Sequence, residues 1–120
     1  YSSPTPFAWP QTEGKPANVI PAADGTMDFF YLSKLREGRM GWQRPSEQLV
    51  FEYHFDLRVF PYAWMFASYG GFLCHYTVLL EPCTTMPMSV NEAAKKQQCS
   101  VLQPGETLET RVSIRAGRQP

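Results

Sequence analysis

Hydrophobic and polar positions alternate most regularly over residues 49–57. There Leu49, Phe51, Tyr53, Phe55 and Leu57 interleave with Val50, Glu52, His54 and Asp56. A period of two is the signature of a strand with one buried and one polar face. Pro61 interrupts it. Ala63 to Tyr69 reads as a second strand closed by Gly70-Gly71, Tyr76 to Leu80 as a short apolar strand closed by Pro82, and Met27 to Leu35 as a further short one. Val101-Leu102 begins another strand, and Pro104-Gly105 supplies a turn. Leu108 to Arg115 follows, with Leu108, Thr110, Val112 and Ile114 set against Glu109, Arg111, Ser113 and Arg115. One helix is expected, over Val90 to about Gln98. Ser89 and Glu92 have the spacing of a capping box, and Ala93, Ala94, Lys95 and Lys96 are good helix formers.

Residues 1–26 read as irregular, because Pro4, Pro6, Pro10, Pro16 and Pro21 fix φ and remove backbone donors. Phe7, Trp9, Val19 and Ile20 are apolar enough to predict that this segment packs down on the rest. The whole pattern predicts an all-β fold, an antiparallel β-sandwich with one short helix. Its β-sheet region occupies 27–120, in a single domain or in the C-terminal fragment of a larger one.

Composition narrows the functional classes. The chain has 120 residues, of which only 18% are charged, so a solvated disordered chain is not expected. Eleven basic residues balance eleven acidic ones, and no Lys or Arg run occurs, which argues against nucleic acid as a partner. No apolar stretch approaches the roughly 20 residues that crossing a bilayer requires. The three cysteines, Cys74, Cys83 and Cys99, form neither an even framework nor a CxxC pair. They are expected to be free thiols in a reducing cytoplasm, with no bound metal. The first ten residues hold no apolar core of a signal peptide. Phosphate-binding glycine loops and a GxSxG elbow are lacking, and no cofactor is expected.

Few residues remain to carry chemistry. His54 and Asp56 lie two apart on one strand face, about 6–7 Å along it, and could act together on a small polar ligand. A solvated strand face is the plainer reading. Glu81 ends the apolar run Val78-Leu79-Leu80 and precedes Pro82. A carboxylate there is partly desolvated, the setting of a general base, unless it is a rim carboxylate paired with an arginine. His75 lies roughly 20 Å from Glu81 along a straight strand, too far to share one bond.

The run Leu80-Glu81-Pro82-Cys83-Thr84, followed by a helix and then Leu102-Gln103-Pro104-Gly105-Glu106, resembles the C-terminal part of the aldose 1-epimerase (galactose mutarotase-like) family over about residues 42–116. The resemblance implies a β-supersandwich that binds a monosaccharide or sugar derivative on a concave sheet and interconverts its anomers by ring opening and reclosure. By position Glu81 is then the base that takes the proton from the anomeric hydroxyl. The acid histidine of that family has no matching motif here. Pyranose rings also pack against flat aromatic side chains, and Trp42, His54 and Trp64 are the substrate-binding candidates, with Tyr62, Tyr69 and Phe72 as further aromatics. Trp42 stands out because Gly41, Gln43, Arg44 and Pro45 give it loop-like surroundings. The alternatives are a non-catalytic carbohydrate-binding module and a structural β-sandwich. Open strand edges and a net charge of zero predict a homodimer, or association with an upstream part of the fold.

Overall fold

The computed structural model describes residues 6–12, 14–87 and 89–119. The fold is all-β with one short helix, in two antiparallel three-stranded sheets. The strands are β1 (Met27–Leu32), β2 (Arg39–Arg44), β3 (Leu49–His54), β4 (Tyr62–Phe72), β5 (His75–Cys83) and β6 (Ser113–Arg118), and the helix α1 spans Val90–Lys95. One sheet has the order β1-β4-β5 and the other β2-β3-β6. The residues fall into two compact units, one of 1–29 and 66–78, the other of 30–65 and 79–120.

In the first unit, Gly70 and Gly71 do not end the strand that carries them. Gly70 takes φ +101°, and a Cβ on Gly71 would meet the Thr26 backbone at 2.7 Å. The two glycines therefore admit a close backbone approach, while the chain reverses at Leu73 and Cys74, both in the left-handed region. Ser68, fully buried, ties this hairpin together: its hydroxyl donates to the His75 carbonyl at 2.6 Å and accepts from the Phe72 amide at 3.0 Å. Tyr69 is buried beside it. Burial, reinforced by the nearby charge of Asp28, pushes its phenol up to about 12. Of the proline-rich segment, Ala17 is buried and Phe7 half-buried, Lys15 pairs with Asp28 and the Pro21 carbonyl accepts from the Tyr76 hydroxyl, while Val19 and Ile20 stand exposed.

In the second unit, the strand predicted over 49–57 stops at His54. The Asp56 carboxylate turns back onto the Arg58 amide at 2.9 Å, and the Val59 and Phe60 amides both donate to the Asp56 carbonyl, which bends the chain out of the ladder. Pro82 does not end β5 either. That strand lies at a sheet edge, the place in a sheet where proline is tolerated. The helix is shorter than expected because Gln97 adopts φ +55°, and the Gln98 and Gln97 amides close onto the carbonyls of Ala93 and Ala94. Its start is as predicted: the Ser89 hydroxyl accepts from the Glu92 amide. Residues 101–112 form no strand, and the last strand runs over Ser113–Arg118 instead of 108–115. The turn at Pro104-Gly105 does form, with the Glu106 amide on the Gln103 carbonyl at 2.9 Å.

Candidate functional site

Trp42 lies on a strand, β2, and not in a loop. It sits opposite Phe51 in the β2·β3 ladder, and the two rings stack with centroids 6.1 Å apart and planes 19° apart. Tyr53 meets Phe51 edge-on at 5.0 Å. Glycine at 41 permits this strand to approach closely, since a Cβ there would meet the Phe51 carbonyl oxygen at 2.3 Å. Directly opposite residues share a face and successive ones alternate, so Trp42, Phe51 and Tyr53 occupy one face, while Glu52 and His54 occupy the other.

On that second face, Glu52 is the centre of a charge cluster. His54 Nε2 lies 3.3 Å from its carboxylate, Arg39 3.4 Å and Arg115 3.8 Å. The sequence pairs His54 with Asp56, but the structure pairs it with Glu52. Asp56 is engaged by Arg58, whose guanidinium donates to both carboxylate oxygens and holds that carboxyl below the usual range.

Glu81 and Trp64 belong to the other sheet, on neighbouring strands β5 and β4. Cys83 joins them. Its thiol is pushed up to about 11, first by burial and then by the negative charge of Glu81, against an opposing hydrogen bond with the Trp64 backbone. The Trp64 indole N–H donates to the Thr85 carbonyl at 2.9 Å, and Tyr31 packs edge-on against the indole at 5.1 Å. Glu81 is half-buried and makes no ion pair among the described residues, so the rim-pair reading is not what the structure shows. Thr85 has a buried hydroxyl with no hydrogen-bond partner. Such a group is uncommon. Sequence reasoning missed Thr85, because a threonine after a strand carries no periodic or motif signal of its own.

These strands, with Thr85 just beyond β5, thus carry a half-buried carboxylate, two aromatic rings held at right angles, and a buried hydroxyl without a partner. Among the described residues no three His, Cys, Asp or Glu side chains gather to hold a metal ion. All three cysteines are free thiols, and Cys74 is exposed. No helix among the described residues is long and apolar enough to cross a membrane. No family model, curated protein or solved structure matches the chain.

Proposed function

We propose that this chain binds an aldose ring at Glu81 and Trp64 and interconverts its anomers, with Glu81 as general base. The observation that carries the reading is a half-buried carboxylate that makes no ion pair among the described residues, on β5 beside the strand that carries Trp64. Glu81 takes the proton of the anomeric hydroxyl. As the C1 carbonyl forms, the bond from C1 to the ring oxygen breaks, and that oxygen takes up a proton. Rotation of the aldehyde and reclosure in the reverse sense give the other anomer. An aromatic ring covers the apolar C–H face of the sugar, and polar groups meet its hydroxyl edges.

A second reading, sugar binding without turnover, is favoured by a different observation. His54 belongs to the β2-β3-β6 sheet and faces Glu52, whereas Glu81 belongs to β1-β4-β5. The proton for the ring oxygen then has no histidine source at Glu81's sheet other than His75, six residues away along β5. Free thiols suit a reducing compartment, and a cytoplasmic location is proposed on that ground.

Exchange NMR on equilibrating monosaccharides tests both readings. Accelerated anomer exchange that falls about 10²–10⁴-fold in Glu81→Gln supports the first. Saturable sugar binding without acceleration supports the second. Neither binding nor acceleration, over a panel of hexoses and pentoses, overturns both.

A further inference from the structure

The outer edge of β6 has its backbone groups arranged to receive another strand. β3 and β6 are antiparallel with Val50 opposite Gly117, Glu52 opposite Arg115 and His54 opposite Ser113. Just beyond the strand, the Gln119 amide donates to the Gln48 carbonyl at 2.7 Å, which identifies that position as a hydrogen-bonded pair. Antiparallel ladders alternate hydrogen-bonded and non-bonded pairs. Residues 113, 115 and 117 therefore bond inward to β3, and Ile114, Ala116 and Arg118 turn their N–H and C=O groups away from it. β6 is the last strand of its sheet, and every one of its side chains is exposed, Ile114 at 62%.

The side chains along this edge say what would fit. Ile114, Ala116 and Arg118 share a face with Tyr53, Phe51 and Leu49, to which they are directly opposed. A strand added beside β6 would extend that apolar face next to Ile114 and Ala116. Arg118 makes no ion pair among the described residues, and Arg115 reaches Glu52 only at 3.8 Å. β6 holds no carboxylate at all.

We propose that the β6 edge binds an extended segment of another polypeptide by strand addition, and that this segment carries carboxylates opposite Arg118 and Arg115 and apolar side chains opposite Ala116 and Ile114. In antiparallel register that is an acidic residue, any residue, an apolar residue, an acidic residue and an apolar residue in succession. Main-chain bonds to Ile114, Ala116 and Arg118 supply affinity, and the alternating side chains supply selectivity. The β6 strand of a second copy is the poorer occupant. Pairing β6 with its twin lines up the Arg115 and Arg118 guanidiniums of both copies along one seam with no carboxylate on either strand.

The test is fluorescence anisotropy with a dye-labelled, end-blocked peptide of sequence glutamate-threonine-valine-glutamate-valine, beside its counterpart with both glutamates replaced by lysine. The acidic peptide should bind saturably and at least about tenfold more tightly than the lysine one. Ala116→Pro removes an outward N–H without breaking a bond to β3, and should weaken the acidic peptide by a similar factor. Arg118→Glu leaves the backbone edge intact and should reverse the preference between the two peptides. In NMR the Ile114, Ala116 and Arg118 amides should move on binding, and those of Ser113, Arg115 and Gly117 should move less. Equal affinity for both peptides, no binding of either, or amide shifts confined to other strands overturns the proposal. So does a concentration-dependent dimer in light scattering that Ala116→Pro abolishes, since the occupant is then a second copy.

Discussion

Trp42 and His54 lie on opposite faces of the same three-stranded sheet. Trp42 is opposed to Phe51, one residue out of phase with the Glu52 and His54 face. They cannot meet one sugar ring from the same side. Trp42 belongs with Phe51 and Tyr53, and His54 with the Glu52 charge cluster. That separation moves the candidate sugar site to Glu81 and Trp64.

Ser68→Ala should lower stability by about 1 kcal/mol, because it removes the buried hydroxyl that bonds both the His75 carbonyl and the Phe72 amide. Urea unfolding should show a lower midpoint with little change in slope. An unchanged midpoint would mean that the hairpin is held by its turn alone.

Trp64→Phe keeps a ring against Tyr31 but removes the indole N–H that reaches the Thr85 carbonyl. The expected cost is about 1 kcal/mol, read as a lower unfolding midpoint. If Trp64 also covers a sugar, binding should weaken in the same variant by more than the stability change accounts for.

Cys83 should be the slowest thiol to alkylate. With its thiol near 11, very little thiolate exists at pH 8, whereas Cys74 is exposed and should react first. Timed iodoacetamide labelling followed by peptide mass spectrometry gives the order. Glu81→Gln should speed labelling of Cys83, because it removes the negative charge that disfavours the thiolate. An unchanged rate would place Glu81 away from Cys83 and weaken the proposed site.

Asp56 should titrate below the ordinary aspartate value of 3.8, since the Arg58 guanidinium binds the ionised form. A carboxyl whose folded value is depressed contributes stability that is present above the unfolded value and disappears as pH falls through the folded one. Carboxyl-carbon NMR should show this midpoint, and Arg58→Gln should move it up toward 3.8. Asp24, which accepts from the Thr26 hydroxyl and amide, should likewise titrate low, and Arg58→Gln should leave it unmoved.

The alternation from Leu49 to His54 and the apolar runs around Ala67 and Val78 were legible as strands because a half-buried strand imposes its period on the residues themselves. The Ser89 cap was legible for a similar reason, its hydrogen bond being local. β2 was not. In Arg-Met-Gly-Trp-Gln-Arg only Met40 and Trp42 alternate, around a glycine, which is too short a pattern to mark a strand until β3 lies alongside and glycine at 41 lets the backbones approach. The stretch from Leu108 to Val112 has a strand's period but no partner, and it stays outside the sheets.

By itself, then, the sequence determined the β class, the short helix and Glu81 as a carboxylate worth examining. These depend on residue periodicity and on contacts a few positions apart. Tertiary structure alone decided that Gly70-Gly71 and Pro82 lie within strands, that Trp42 and His54 face opposite ways, and that the Trp64 indole reaches the Thr85 carbonyl. Each of those depends on which distant backbone comes alongside, and ladder register is set by pairing between segments far apart in the chain.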